Sequence, residues 1–155
     1  MTDASRESLK SAMAAMTGLQ QLQAMMDGHV PPPSIARTLD YRIASIAEGE
    51  AVFEGAPHKG VLNPMGAVHG GWYGVMLDSA MGCAVHTMMK PGQGYTTLEY
   101  KINLIRGAKP GDTPLKAVGK VSHLGRRTAV ATGRILDETG RCYAEGSTTC
   151  LVFDL

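Results

Sequence analysis

The sequence predicts an α+β domain in which an antiparallel sheet packs against one long central helix, with an extra helix ahead of both. Three observations carry this reading. Residues 70–89 run without proline and are rich in Ala, Met, Gly and Val, until Lys90-Pro91-Gly92 stops them. Further on, Leu98, Tyr100, Ile102 and Leu104 alternate with Thr97, Glu99, Lys101 and Asn103, the period of two that marks a strand. The later apolar runs are joined by links too short for crossovers, so neighbours in sequence are expected to pair antiparallel.

In chain order, 155 residues are the length of one ordinary domain. Residues 1–38 read as an N-terminal helical extension and 39–155 as the main domain. From about Ser5 to Asp27, Leu9, Met13, Met16 and Leu19 recur at three- and four-residue steps, an amphipathic helix ended by Gly28 and the prolines at 31–33. Its methionines suit core or subunit packing more than a lid over a ligand. Residues 40–56 carry β-formers around a Gly-Glu turn and predict a strand or hairpin. "PHKGVLNPMGAV" holds too many turn residues to be regular. The helix at 70–89 follows; its Gly74, Ser79, Ala80, Gly82 and Ala84 are poor helix formers but allow close approach of another backbone, so it should be buried. Strands over 114–123, 127–136 and 141–153, parted by "KPGD", "HLGRR" and "DETGR", complete a four-strand meander with the strand at 97–105.

Composition narrows the function. With 44% hydrophobic and 19% charged residues, the chain belongs among folded globular domains. A net charge of +1 gives no reason to expect nucleic acid or an anionic membrane as partner. Residues 90–141 nevertheless hold ten Lys/Arg against Glu99, Asp112, Asp137 and Glu138, an excess of six. Solvated strand faces account for that excess, as would recognition of a small anionic ligand. Cys83, Cys142 and Cys150 are odd in number and lack metal or disulfide spacing, which suggests a reducing compartment. The N-terminus has no apolar signal region and no run reaches the ~20 residues of a membrane span, so a cytoplasmic protein is expected.

Common catalytic motifs are missing: there is no G-x-S-x-G elbow, Walker loop or dinucleotide fingerprint. Cys83 and His86 are spaced like metal ligands, but two residues do not close a site, and no metal is expected. What remains is Asn63, His69, Gly70 and Asp78. A helix beginning at Gly70 offers free N–H groups at the positive end of its dipole, suited to an oxyanion forming on a carbonyl. Asp78 is the only acidic or basic side chain, histidines aside, from Gly60 through Met89, and an unpaired buried carboxylate costs several kcal/mol. It could be partly exposed, cap a loop, or act as base or nucleophile. Eight residues at ~1.5 Å rise put Gly70 and Asp78 about 12 Å apart along one helix. Both can serve one carbonyl only if a second copy of the chain supplies one of them, most simply across a two-fold axis.

Asn63, then His69-Gly70-Gly71, then Asp78, followed by "TTLEYKINLIR" and "AKPGD", resembles the hotdog-fold acyl-CoA thioesterases of the PaaI (phenylacetyl-CoA) type over about residues 40–153. The resemblance implies a sheet curled around the helix, a homodimer at least and often a homotetramer, and hydrolysis of an acyl-CoA to an acid and CoA without a further cofactor. It assigns carbonyl polarisation to the Gly70 N–H and activation of water, or direct attack, to Asp78 of the facing subunit. Asn63 would orient the water or carboxylate, and His69 would hold the thioester end. Thr97, with Thr96 as second choice, would complete the site. Arg126 and Arg127, then Arg106 and Lys109, would meet the CoA phosphates. Residues 1–38 lie outside the matched core, and Gly107 stands where a proline is common. A hotdog hydratase or dehydratase acting on the same thioesters, or a noncatalytic acyl-CoA-binding module, are the competing readings.

Overall fold

The computed structural model describes residues 12–155. The expected start of the first helix at Ser5 lies outside them. The helix expected to continue to Asp27 is interrupted: residues 12–14 are helical, the chain leaves the helix at 15–17, and α1 (Gly18–Met26) restarts it. Thr17 causes the restart. Its side chain accepts from Gln20 N while the Gln20 side chain accepts from Thr17 N, a capping box that satisfies two end donors. The prolines then lead into a short helix, α2 (Ser34–Thr38).

Strands β1 (Tyr41–Ala47) and β2 (Glu50–Gly55) form the expected hairpin, turning at Gly49 with φ +75°. The irregular stretch contains one 3-10 turn (Lys59–Val61) and leads into α3 (Gly70–His86). After it come β3 (Gln93–Leu104), β4 (Leu115–Leu124), β5 (Thr128–Leu136) and β6 (Cys142–Asp154). All pairings are antiparallel, in one six-stranded sheet of order β1-β2-β4-β5-β6-β3.

That order corrects the meander. Strands β4, β5 and β6 do follow one another, but β3 pairs with β6 and stands at the sheet's edge, while β4 pairs with β2. The link over 105–114 is long enough to permit this. Skipping two strands means crossing about 14 Å of sheet at ~4.8 Å per strand, and ten extended residues reach roughly 33 Å. Tyr73 of α3 anchors the crossing, its hydroxyl accepting from Ala108 N at 2.7 Å, and Ile105 N and Arg106 N both donate to the Tyr143 carbonyl.

Helix α3 lies in the concavity of the sheet with Met76, Leu77, Ala80, Met81, Ala84 and Val85 fully buried. It is apolar nearly all round, as a helix in a core should be. Its closest backbone approach to the sheet is at β4, where a Cβ on Gly119 would stand 2.2 Å from the Ala80 carbonyl oxygen. The helix's own glycines make room for side chains instead: Gly74 faces Tyr100 and Gly82 faces Tyr95.

Candidate active site

The loop before α3 is built around Asn63. Its Oδ1 accepts from Met65 N (3.0 Å) and Ala67 N (3.1 Å), and its own N–H donates to the Ala67 carbonyl (2.8 Å). Both oxygen lone pairs are thereby used within the loop, which leaves the Nδ2 hydrogens as what Asn63 can offer a ligand. The loop's far end is fixed by His69 N donating to the Val61 carbonyl at 2.8 Å.

His69 is the N-cap of α3. Its Nδ1 accepts from Gly71 N at 2.8 Å, so the neutral ring carries its proton on Nε2, a donor. This capping role was not read from the sequence, although histidine directly before Gly-Gly at a helix start is a visible cue. It selects the helix donor that stays available. The Gly71 N–H is consumed by the cap, whereas the Gly70 N–H has no acceptor among the described residues. A single unspent N–H thus sits at the positive end of a 17-residue helix.

Two turns further along, Asp78 is half-buried, and Thr97 Oγ1 donates to its Oδ1 at 3.0 Å. Of the two threonines considered, Thr97 is the one that reaches the carboxylate, and Thr96 is exposed. A β-bulge makes this contact. The β3–β6 register shifts between Thr97 and Glu99, and Thr148 Oγ1 donates to the Glu99 carbonyl at 2.7 Å beside the shift. Without the bulge, Thr97 would face away from Tyr100 and Ile102; with it, Thr97 joins them on the side of α3. Leu98, which the alternation grouped with Tyr100, is extruded and 57% exposed.

On Asp78's other flank, the Tyr41 hydroxyl and Ser79 Oγ are 3.0 Å apart. Burial, reinforced by the Asp78 charge, pushes the Cys83 thiol up to about 12, so Cys83 keeps its proton and is no nucleophile at neutral pH. His86 is committed elsewhere, its Nε2 hydrogen-bonded to Gln21 Oε1 at 2.9 Å.

Within one chain the structure brings together Asn63, His69 and Gly70 at the start of α3, and Asp78 with Thr97 two turns on; it does not bring the two groups together. The basic residues divide in the same way. Arg106 stacks on the Tyr143 ring (5.9 Å), and Lys109 lines a shallow surface cavity with Met65, Gly66 and Ala67 of the Asn63 loop. Arg126 and Arg127 line another depression with Gln93 and Asp154; the adjoining Thr128 pairs with Leu151, which pairs with Thr96.

Comparison with known proteins identifies the family and the fold. The family model described as the thioesterase superfamily matches residues 65–144. No curated protein matches the sequence significantly. Among solved structures, a phenylacetic acid degradation-related protein of Ralstonia eutropha is 26% identical, covering 84% of this chain and 98% of its own, with a TM-score of 0.76. PaaI of Escherichia coli, from the phenylacetic acid degradation operon, is 24% identical, covering 90% and 96%, also at 0.76. A hypothetical thioesterase protein of Streptococcus pneumoniae, solved with coenzyme A, is 28% identical, covering 74% and 89%, at 0.67. No helix among the described residues is long and apolar enough to cross a membrane.

Proposed function

The chain belongs to the thioesterase superfamily and is a thioester hydrolase; from there we propose that it hydrolyses acyl-CoA to a carboxylic acid and CoA at a site shared between two copies of itself. The observation that carries the reading is the division of the machinery. One helix holds an unspent N–H at Gly70 and a carboxylate at Asp78, about 12 Å apart by helical rise, while each contact on a reacting carbonyl must be about 3 Å.

In the reaction, the Gly70 N–H of one subunit donates to the thioester oxygen and stabilises the charge that gathers there. Asp78 of the other subunit takes a proton from water as the water oxygen bonds to the carbonyl carbon. The tetrahedral intermediate then collapses, the C–S bond breaks, and the CoA sulfur leaves with the proton Asp78 had accepted. Direct attack by Asp78, in which the C–S bond breaks, the CoA thiolate leaves and a mixed anhydride forms that water then cleaves to the acid and the free Asp78 carboxylate, uses the same placement. Thr97 holds Oδ1 and leaves Oδ2 for the reaction. Asn63 Nδ2 and His69 Nε2 are donors suited to orienting the thioester end.

The second copy is proposed to join at β3. This strand has a free edge of 12 residues, and Leu98, Tyr100 and Leu104 on it are 45–57% exposed, the kind of edge a protein covers. Dimers pairing into a tetramer would follow the resemblance. CoA phosphates would meet Arg126 and Arg127, or Arg106 and Lys109. Those two groups mark opposite ends of the sheet, about eight strand residues or ~26 Å apart, so contact with both again calls for two chains.

The test is a panel of aryl- and fatty-acyl-CoAs with free thiol as readout, and Asp78→Asn beside the wild type. Thiol release that falls 100-fold or more in the variant is expected. Release that survives would remove Asp78 from the chemistry. A changed acyl chain without thiol would mark a hydratase, and binding without turnover a sensing module.

A further inference from the structure

Residues 18–38 form an arm that closes one side of an apolar cavity of about 290 Å³. Met25, Met26 and Ala36 come from the arm; Phe53 of β2 faces them, and Ser79 and Cys83 of α3 close the inner end. The arm is docked rather than draped. Gly18 N donates to the Met89 carbonyl at 2.9 Å, Gln21 bonds His86, and a Cβ on Gly18 would lie 1.7 Å from the His86 carbonyl oxygen, so no other residue fits there. The cavity ends one residue from the candidate site: Ser79, which follows Asp78 on α3, lines it, and its hydroxyl meets that of Tyr41, another cavity residue.

We infer that this cavity receives the acyl tail of the thioester, and that the N-terminal arm, through Met25, Met26 and Ala36, limits the enzyme to acyl groups of about ten carbons or fewer. The inference rests on the thioesterase reading for its substrate, while the cavity's preference for an alkyl tail can be measured without turnover. At roughly 30 Å³ per water-sized group, the cavity holds about ten such groups. An arylacetyl or medium-chain acyl group fits within that volume, and a sixteen-carbon chain exceeds it. The lining is mostly apolar: besides the Tyr41 and Ser79 hydroxyls and the Cys83 thiol it holds one charged residue, Arg42, which is ion-paired with Glu54, and the methionines on one wall adapt to tails of different shape.

Two measurements on the full chain test this. The first is kcat/KM for straight-chain acyl-CoAs from two to sixteen carbons; the second is binding of non-hydrolysable S-alkyl-CoA thioethers of the same lengths, by calorimetry. Each buried methylene should raise affinity about fourfold until the cavity is full, with the gain ending near eight to ten carbons. Ala36→Phe should fill the space and shorten that limit. Should it fail to fold, Met25→Ala with Met26→Ala, which only removes side-chain atoms, should lengthen it by about two to four carbons. Chain-length profiles unchanged in the folded variants would overturn the arm's role. Alkyl-dependent binding that shifts with the variants while no thioester is cleaved would keep the cavity and defeat the hydrolase reading; hydrolysis with profiles indifferent to the arm would do the reverse.

Discussion

Exchanging Gly70 for proline removes one hydrogen-bond donor and little else, which makes it a sharp test of the shared site. Proline is favoured at the first position of a helix, where no intrahelical bond is lost. The residue before a proline must be extended, and His69 already is, at φ −65° and ψ 137°. The ring will press on Leu104, whose Cδ1 lies 2.8 Å from where a Gly70 Cβ would stand, but that is the end of a flexible side chain. Loss of a single oxyanion donor costs about 100- to 1,000-fold in kcat. Gly70→Ala, which adds the same contact with Leu104 and keeps the N–H, is the control and should retain most activity. Asp78→Asn, the second partner, should be at least as impaired.

Neither variant alone distinguishes a shared site from two independent effects; their mixture does. If Gly70 and Asp78 act across a two-fold axis, a dimer with one Gly70→Pro chain and one Asp78→Asn chain has one site carrying both lesions and one carrying neither. Co-expression with two affinity tags isolates that mixed dimer, and it should recover about half the wild-type rate of thiol release. A freely exchanged equal mixture should recover about a quarter. If both residues serve within one chain, every site in the mixed dimer carries one lesion and nothing is recovered. Activity of the mixed dimer at the level of the two parents would refute the shared-site reasoning.

Two further predictions concern the framework. Tyr73→Phe leaves the Ala108 N–H buried without its 2.7 Å partner, which should cost about 1–3 kcal/mol, or roughly 5 °C in melting temperature for a domain of this size; an unchanged Tm would mean that the crossing loop is not anchored there. Burial holds the His86 pKa below its ordinary value of 6.5. The unfolded chain therefore binds more protons than the folded one as pH falls below about 6.5, so stability is complete above that pH and declines beneath it. Because His86 is bonded to Gln21, the decline should appear first in α1: the protection of residues 18–26 against hydrogen exchange, taken relative to the intrinsic rate at each pH, should fall between pH 7 and 5 before that of α3, and an equal fall in both would count against a local effect.

Most elements were legible because their signals are local. The hairpin at 41–55, the helix at Gly70 and the strand periods lie in short windows of sequence. The restart of α1 was legible too and went unread, since Thr17 and Gln20 spell a capping box inside what otherwise looks like one helix. The bulge at Leu98 was not legible: a register shift leaves the alternation of Leu98, Tyr100, Ile102 and Leu104 intact in sequence while changing which side each residue takes. Nor does alternation name a strand's neighbour. That is set by how far the connecting chain reaches and by what the edge strands leave open.

The misplaced strand is the one on which the proposed site depends. In the observed order, β1 and β3 are the two edges of the sheet, and α3 shows between them the part of its surface that the sheet leaves uncovered. Ser79 there meets Tyr41 of β1, and Asp78 meets Thr97 of β3. Had β3 paired with β4 as a simple meander requires, Thr97 would sit inside the sheet and Asp78 would face a closed wall, a carboxylate buried at a cost of several kcal/mol. The crossing at 105–114 removes that cost by carrying β3 to the edge. The same step leaves Asp78 half-open, gives it a hydroxyl to orient it, and exposes beside it the strand edge through which, in the proposed dimer, a second chain would bring its Gly70.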